Sequence, residues 1–226
     1  RLDDSTSSTE ILWYIMKVGL PASLSMIVMA VGQGVFNKIL VHISVETVAA
    51  YQVAGRLDML VFLPIFSIAA SLTTLVGMFY GAKEFEALRF TIRYGIISAL
   101  IITIFSSALV YIFADQVVRF FTKDESIVLI AVNFLQIFAF SYPFIAVGIT
   151  TGRVLQGLGK GLPVLVITIV RVLGVSAPLA LFFVFIMEKS VEWVWYSMML
   201  STVVAFVIGL TWLVSTIRKL PVKKSD

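Results

Sequence analysis

The sequence contains no cysteine and a single histidine, His42. It therefore has no disulfide framework, no thiolate nucleophile and no cysteine-based metal site, and one imidazole offers little for zinc binding or histidine-dependent catalysis. The motifs HExxH and GxSxG and paired intramembrane aspartates are also missing from the sequence. An enzyme is accordingly disfavoured, and neither a cofactor nor a metal site is predicted.

Charged residues are scarce. They make up 13% of the sequence, whereas 60% of it is hydrophobic, and the mean hydropathy is +1.03. Soluble domains have about 25% charged and roughly 45–50% apolar residues, so this chain could not cover a water-exposed exterior. We expect the lipid bilayer as its surroundings. The net charge of +4 is then explained by basic residues on the cytoplasmic side, and no nucleic acid partner is needed.

Long uncharged stretches are the most informative feature that is present. A helix needs about 20 residues to cross roughly 30 Å of hydrocarbon. Five uncharged runs reach that length, and a sixth does so with one interruption at Arg171. The six predicted spans are residues 18–37, 59–82, 94–114, 126–152, 161–187 and 193–217. The predicted fold class is therefore all-α, a polytopic membrane protein built as a six-transmembrane-helix bundle.

The six spans define the domain organisation. Residues 1–9 form a polar, linker-like start, residues 10–220 a six-helix membrane lobe, and residues 221–226 a cytoplasmic tail. Each apolar run extends past the bilayer, so we expect helices of about 25 to 34 residues that tilt or project beyond the headgroups. The connections between spans are too short to hold an extramembrane domain.

The distribution of lysine and arginine predicts the orientation. An even number of spans places both termini on one side of the membrane. Most basic residues outside the spans fall on that side, among them Lys83, Arg89, Arg153 and Lys223. The positive-inside rule therefore predicts a protein of the cell membrane with both termini in the cytoplasm.

Prolines and small residues interrupt the spans. Pro64 and Pro143 lie in mid-span, where proline removes a backbone donor and can kink a helix, so both are hinge candidates. A static bend and a moving joint are both open for each of them. Glycines four residues apart predict close helix packing. These pairs are Gly77/Gly81, Gly148/Gly152 and Gly157/Gly161.

Polar and adaptable side chains within the spans are candidates for the lining of an aqueous cleft, because an unpaired polar group in hydrocarbon costs several kcal/mol. Gln33 and Asn37 share one face of the first span, and Asn133 and Gln136 share one face of the fourth. Hydrogen bonding between helices is an equal alternative for each pair. Thioethers and aromatic rings repack readily around flat, greasy or cationic ligands. On that ground the cavity candidates also include Met26, Met29, Phe36, Phe62 and Phe138.

Three charged residues lie within or near the spans. Arg171 is too deep in the fifth span for snorkelling alone, so we expect it to face protein or water and to meet carbonyls or a carboxylate. Arg56 and Asp58 lie near the outer end of the second span, two residues apart, and therefore point to different faces. For Asp58 we expect simple solvation at the outer interface.

Several stretches together resemble a known family. They are Gly19-Leu20-Pro21-Ala22-Ser23-Leu24-Ser25, residues 48–82 (VAAYQVAGRLDMLVFLPIFSIAASLTTLVGMFYGA), Phe121-Thr122-Lys123-Asp124, Leu155-Gln156-Gly157-Leu158-Gly159-Lys160, Pro163 and Arg171. In this order and spacing, residues 10–220 resemble the carboxy-terminal half of the MATE (multidrug and toxic compound extrusion) transporters. The start at Arg1 instead of Met fits a chain cut from a protein about twice as long, although a half-size chain that dimerises is also open.

The resemblance implies a function. MATE-like proteins have two six-helix lobes around a central cavity and extrude drugs by rocking between inward-facing and outward-facing states. Some branches carry cation-binding carboxylates on the first and fourth helices of this lobe, but residues 26–31 and 144–149 contain no acid. The chain thus resembles the branch whose ion-binding aspartate lies in the amino-terminal lobe. The implied partners are that lobe, or a second half-size chain, and small organic substrates of cationic or amphipathic character.

The first functional hypothesis is therefore one half of an H⁺- or Na⁺-coupled multidrug efflux antiporter, with the coupling ion bound in the other lobe. The first alternative is half of a flippase for lipid-linked oligosaccharides or precursors, in which an arginine grips a pyrophosphate. The second alternative is a structural membrane subunit that transports nothing.

Overall fold

The computed structural model describes residues 8–221. Nearly all of these residues are helical, and no strand occurs among them. The helices are α1 (Ser8–Ile43), α2 (Val45–Gly81), α3 (Phe85–Phe121), α4 (Glu125–Ala139), α5 (Tyr142–Gly157), α6 (Leu162–Ile169), α7 (Ala177–Leu181) and α8 (Glu192–Arg218), with π-helical stretches at Val170–Ser176 and Phe182–Ile186. The predicted all-α fold class is confirmed.

The spans broadly follow the prediction. Five helical stretches are long and apolar enough to cross a bilayer, namely Ile15–Ile43, Val45–Gly81, Phe85–Phe121, Leu162–Ile186 and Glu192–Arg218. Helices α4 and α5 supply a sixth if the pair counts as one span, but a bend of 60° separates them. The fourth predicted span is thus two shorter helices rather than one continuous helix.

Several helices are longer than expected. Helix α1 has 36 residues, and α2 and α3 have 37 each, against the expected maximum of about 34. The charged residues used to end the apolar runs do not end the helices, because Lys, Arg and Glu are good helix formers. The predicted linker-like start lies mostly before the described residues, although Ser8 and Thr9 belong to α1. Of the predicted tail, only Pro221 is described.

The connections are short, and those before α2 and α4 carry side-chain caps. Ser44 alone separates α1 from α2; its backbone is extended and its hydroxyl accepts a hydrogen bond from the Thr47 backbone N–H at 3.1 Å. Asp124 caps α4 by accepting from the Ser126 backbone N–H at 2.9 Å. Such caps satisfy donors that the first helical turn leaves open.

An exposed arginine joins the end of α3 to the start of α4. The Arg119 guanidinium donates to Asp115 at 2.8 Å and to both carboxylate oxygens of Glu125, at 2.6 and 3.1 Å. All three side chains are exposed, so the pairs set the geometry of this turn more than they stabilise the fold.

The apolar core is arranged as three clusters along the length of the helices. One cluster, around Phe134 and Trp195, packs α1, α2, α4 and α8 at one end. A middle cluster centres on Ile65 and Tyr142, and a third, around Val76, packs α2, α3, α5 and α8 at the other end. Many large apolar side chains remain exposed on the outside of the bundle, as expected where lipid or another membrane lobe covers the surface.

Glycines allow two helix backbones to approach closely. A Cβ on Gly157, at the end of α5, would lie 2.7 Å from the Thr73 carbonyl oxygen of α2, and the Gly157 carbonyl faces Gly77. Gly161 similarly abuts the backbone of Val18 on α1, whereas Gly81 and Gly148 face open space. Close packing therefore holds for part of the predicted glycine pairs and not for all of their members.

The break between α4 and α5 is stabilised by a neighbouring helix. The Ser107 hydroxyl on α3 donates to the Ala139 carbonyl at 2.7 Å, which satisfies an acceptor at the end of α4. Pro143 lies in the first turn of α5, where its missing N–H costs nothing. Pro64 instead lies inside the unbroken helix α2.

Candidate functional site

A cavity of about 200 Å³ lies among α1, α2, α4, the π-helical stretch Val170–Ser176 and α8. We call it the arginine cavity. Its polar lining consists of Gln33, Tyr51, Arg171, Ser176, Ser201 and Thr202. Its apolar lining consists of Met29, Phe36, Phe138, Val172 and Met198, together with Gly32. It therefore combines a charged group with adaptable thioethers and aromatic rings in one small space.

Arg171 is the only charged residue among those that line this cavity. It is partly buried and lies in a π-helical turn, a geometry that is frequent at functional sites. The expected carboxylate partner is not found: in residues 15–221, the acids within 4.0 Å of a basic group are those paired with Arg119. No hydrogen bond from Arg171 to a carbonyl is found among the described side chains either, so the expected contact with carbonyls or a carboxylate is not seen. The expectation that Arg171 faces protein or water agrees with its place in the lining of the cavity.

The part of the cavity wall between α1 and the π-helical stretch depends on a close contact of the two. A Cβ on Gly32 would lie 2.2 Å from a methyl group of Val172. A side chain here would therefore force Val172 into another rotamer or push α1 away from the π-helical stretch that carries Arg171. Glycine at this position lets Gln33 and Arg171 line the same small cavity.

An aromatic cluster supports the cavity from behind. Trp195 stacks on Tyr51 at 6.0 Å between ring centroids and meets Phe134 edge-on at 4.7 Å. Phe134 in turn stacks on Phe138 at 5.0 Å. Rings in these arrangements contribute about 0.5–1.5 kcal/mol per pair beyond their buried area. The cluster fixes the positions of Tyr51 and Phe138 at the cavity wall.

A second, larger space of about 510 Å³ lies among α3, α4, α5 and α8. We call it the asparagine groove. Its lining includes Asn133 and Gln136 together with Tyr111, Phe140 and Tyr196. The Asn133 side-chain oxygen is buried there without a hydrogen-bond partner among the described residues. The predicted pair Asn133/Gln136 thus lines one space, but not the one that contains Gln33.

The predicted cavity residues fall into separate groups. Those lining the arginine cavity are Met29, Gln33, Phe36 and Phe138. Met26 is 72% exposed on the outside of α1. Asn37 accepts a hydrogen bond from Gln52 at 3.2 Å, as the alternative of helix-to-helix bonding predicted. Phe62 is buried in the middle cluster, edge-on to Tyr142 at 5.2 Å.

Asp58 is bound within the protein. Its carboxylate accepts a hydrogen bond from the Tyr142 hydroxyl at the start of α5, and the residue is only partly exposed. The expectation of simple solvation at the outer interface is therefore wrong for Asp58, because α5 brings a buried donor to it. Arg56 is exposed and points elsewhere, as its two-residue spacing predicted.

The sequence reasoning missed several lining residues. Tyr51, Ser176, Ser201 and Thr202 all lie at the arginine cavity. The adjacent pair Ser201-Thr202, in the middle of the last apolar run, was the available signal, because such side chains in a span need partners. Here both hydroxyls donate to the Met198 carbonyl, at 2.8 and 3.0 Å.

Comparison with known proteins identifies the family. The family model described as MatE matches residues 21–182. A probable multidrug resistance protein NorM of Thermotoga maritima is 29% identical over 175 residues, which is 77% of this chain and 37% of that protein. A probable multidrug resistance protein YoeA of Bacillus subtilis is 28% identical over 76% of this chain and 37% of its own length.

Solved structures match over the whole bundle. A MOP superfamily transporter from Pyrococcus furiosus, described by the reverse polarity of its binding pocket, superposes with a TM-score of 0.88 at 30% identity, covering 100% of this chain and 50% of that one. A multidrug resistance MATE family transporter in an outward-facing conformation gives a TM-score of 0.87 at 30% identity and covers 97% of this chain and 49% of that one. The chain thus spans about half the length of these structures. The predicted resemblance is confirmed, and the chain belongs to the MatE family.

Proposed function

We propose that this chain is the carboxy-terminal lobe of a cation-coupled multidrug efflux antiporter of the cell membrane, with both termini in the cytoplasm, and that it moves solutes rather than catalysing a reaction. The observation that carries the proposal is the match of the whole bundle to half of a multidrug resistance transporter. The second lobe would come from the same protein or from another half-size chain.

The cavity wall is proposed to combine two surfaces. The exposed face of α1 offers Met26 and Met29, which are 72% and 51% exposed, to a partner lobe and to substrate. The arginine cavity opens next to it through Met29 and Gln33. Thioethers and aromatic rings suit small cationic or amphipathic solutes of varied shape.

The coupling ion, H⁺ or Na⁺, is proposed to bind in the other lobe. Within residues 8–221 no group of three or more His, Cys, Asp or Glu residues is arranged to hold a metal ion, and Asp58 is engaged by Tyr142. For exchange, ion and substrate must favour different states of the two lobes. This lobe would then act as one moving body and one wall. The bend at Pro143 and the proline of α2, Pro64, remain the proposed hinges.

A dye-efflux assay tests this proposal. Cells that express the complete transporter are expected to extrude ethidium, and deletion of this lobe is expected to abolish extrusion. The replacement Gln33→Ala is expected to change the rate or the range of dyes, whereas Gln116→Ala, at an exposed position of α3, is the matched control. Full-rate efflux by the other lobe alone would refute the proposal.

Arg171 favours a second candidate function. A lone basic residue in a cavity is suited to a phosphate group, as in a flippase of lipid-linked precursors, and the similar transporter from Pyrococcus furiosus is described as having a different function. We rank this candidate second because Arg171 is the only basic residue at the cavity and Arg56 is exposed elsewhere. Transport of a phosphate-bearing lipid by the parent protein, and its loss in Arg171→Ala, would support the flippase instead.

A further inference from the structure

We propose that the arginine cavity is a binding site for one small oxyanion, a carboxylate or a phosphate group, held by Arg171. This inference concerns binding within the lobe and does not depend on the direction or the substrate of transport proposed above.

Arg171 brings a positive charge to the cavity. A guanidinium stays protonated in proteins, so this residue carries a full positive charge inside an apolar span. An unpaired charge taken out of water costs several kcal/mol. In residues 15–221 no carboxylate lies within 4.0 Å of it, and Asp58, on helix α2, accepts from Tyr142 and does not line the cavity. The charge therefore lacks a counter-ion within the described lobe.

Other polar side chains line the cavity together with Arg171. Arg171 and Gln33, whose side chains carry N–H donors, line the same cavity as the hydroxyl-bearing residues Tyr51 and Ser176. The hydroxyls of Ser201 and Thr202 already donate their hydrogens to the Met198 carbonyl. The Arg171 charge, together with these N–H and O–H groups, makes the cavity suited to an anion.

The size of the cavity limits the ligand. A cavity of about 200 Å³ has room for one compact anionic group. The planar fork of a guanidinium binds the two oxygens of a carboxylate or a phosphate in a bidentate manner. The ligand is thus either a free inorganic anion or the charged end of a slender organic acid.

Binding to the purified protein in detergent tests the proposal. Acetate and inorganic phosphate are titrated separately at constant ionic strength, with acetamide as the uncharged counterpart of acetate. The readouts are the midpoint of thermal unfolding and the intrinsic tryptophan fluorescence, to which Trp195, whose ring stacks on Tyr51 at the cavity wall, contributes. A saturable response to acetate or phosphate, and none to acetamide, is expected. A response to phosphate alone assigns a phosphate group, and a response to acetate alone assigns a carboxylate.

Two variants locate the site. Arg171→Gln is expected to raise the dissociation constant about tenfold or more, which corresponds to the loss of a hydrogen bond to a charged group. Arg56→Gln removes an exposed positive charge from α2 and is expected to bind as the parent does. If Arg171→Gln does not fold, Gln33→Leu and Ser176→Ala replace it, each with an expected weakening of several-fold.

Either of two outcomes would overturn the proposal. The first is that neither anion gives a saturable response in the parent protein. The second is that the affinity is unchanged in Arg171→Gln, or in both replacement variants. Because no transport is measured, a failed efflux assay and a failed binding assay remain distinguishable.

Discussion

Gly157→Ala tests the close approach of α2 and α5. The added Cβ would lie 2.7 Å from the Thr73 carbonyl oxygen and 3.0 Å from a methyl group of Val76. Ordinary contact begins at 3.4 Å, so the two helices must separate by about 0.7 Å. The obstacle is a backbone carbonyl in the middle of α2, which cannot rotate away as a side chain can.

The magnitude follows from two opposing effects. Overpacking a tight contact costs about 1–3 kcal/mol, whereas Ala in place of Gly stabilises a helix by about 0.5–1 kcal/mol. Subtracting the two ranges gives a net loss of about 0–2.5 kcal/mol, with a central value of about 1 kcal/mol. For a chain of this size the central value lowers the midpoint of thermal unfolding by about 2–4 °C.

The matched control lies on the same helix. Gly148 faces open space within 4 Å, so Gly148→Ala brings only the gain in helix propensity and is expected to leave the midpoint unchanged or to raise it slightly. Both variants are measured in the same detergent by scanning fluorimetry. If Gly157→Ala is as stable as Gly148→Ala, the inferred backbone contact does not exist in the membrane protein.

The remaining predictions concern polar contacts. Tyr142→Phe removes the donor to Asp58 and is expected to lower the unfolding midpoint, because a buried acceptor is left unpaired at a cost of about 1–3 kcal/mol; an unchanged midpoint would contradict this. Ser44→Ala removes the cap of α2 and is expected to cost about 1 kcal/mol, with Ser44→Asp retaining the cap and the stability. Bonds from Ser126 hold the pKa of Asp124 below its usual range. These bonds therefore make their full, small contribution to stability when the pH is above ~3.9, the pKa of Asp124 in the unfolded chain. The contribution is lost as the pH falls through the lower pKa that Asp124 has in the folded protein. Stability of Asp124→Asn should then vary less with acid than that of the parent, and an identical acid profile would refute this assignment.

The membrane fold was accessible from the sequence because apolar runs report directly on the thickness of the bilayer. The run at 126–152 shows the limit of that signal. Its hydropathy is continuous across Phe140 and Ser141, where the helix bends by 60°. The bend depends on Pro143 together with the Ser107 hydroxyl of another helix, and hydropathy reports on neither.

The candidate site was only partly accessible. Helical spacing placed Gln33 and Asn37 on one face, but Gln33 lines the cavity while Asn37 bonds to Gln52. Which polar side chain meets a partner depends on how the other helices pack against it. The π-helical stretch around Arg171 adds a second difficulty, because it departs from the 3.6-residue period on which face assignments depend. The sequence identified the charge but not its surroundings.

Helices α2 and α5 are in contact at two points along their length. Asp58 meets Tyr142, and fifteen residues further along each helix Thr73 meets Gly157. Equal spacing means that α2 and α5 run side by side in the same direction and are fastened at both ends of a segment about 22 Å long. Pro64 lies between these two contacts, so a bend there would have to carry α5 along with α2. Any change in the angle of the bent pair therefore falls on α4, and the polar face of α4 at Asn133 and Gln136 is the part of the lobe that would be displaced.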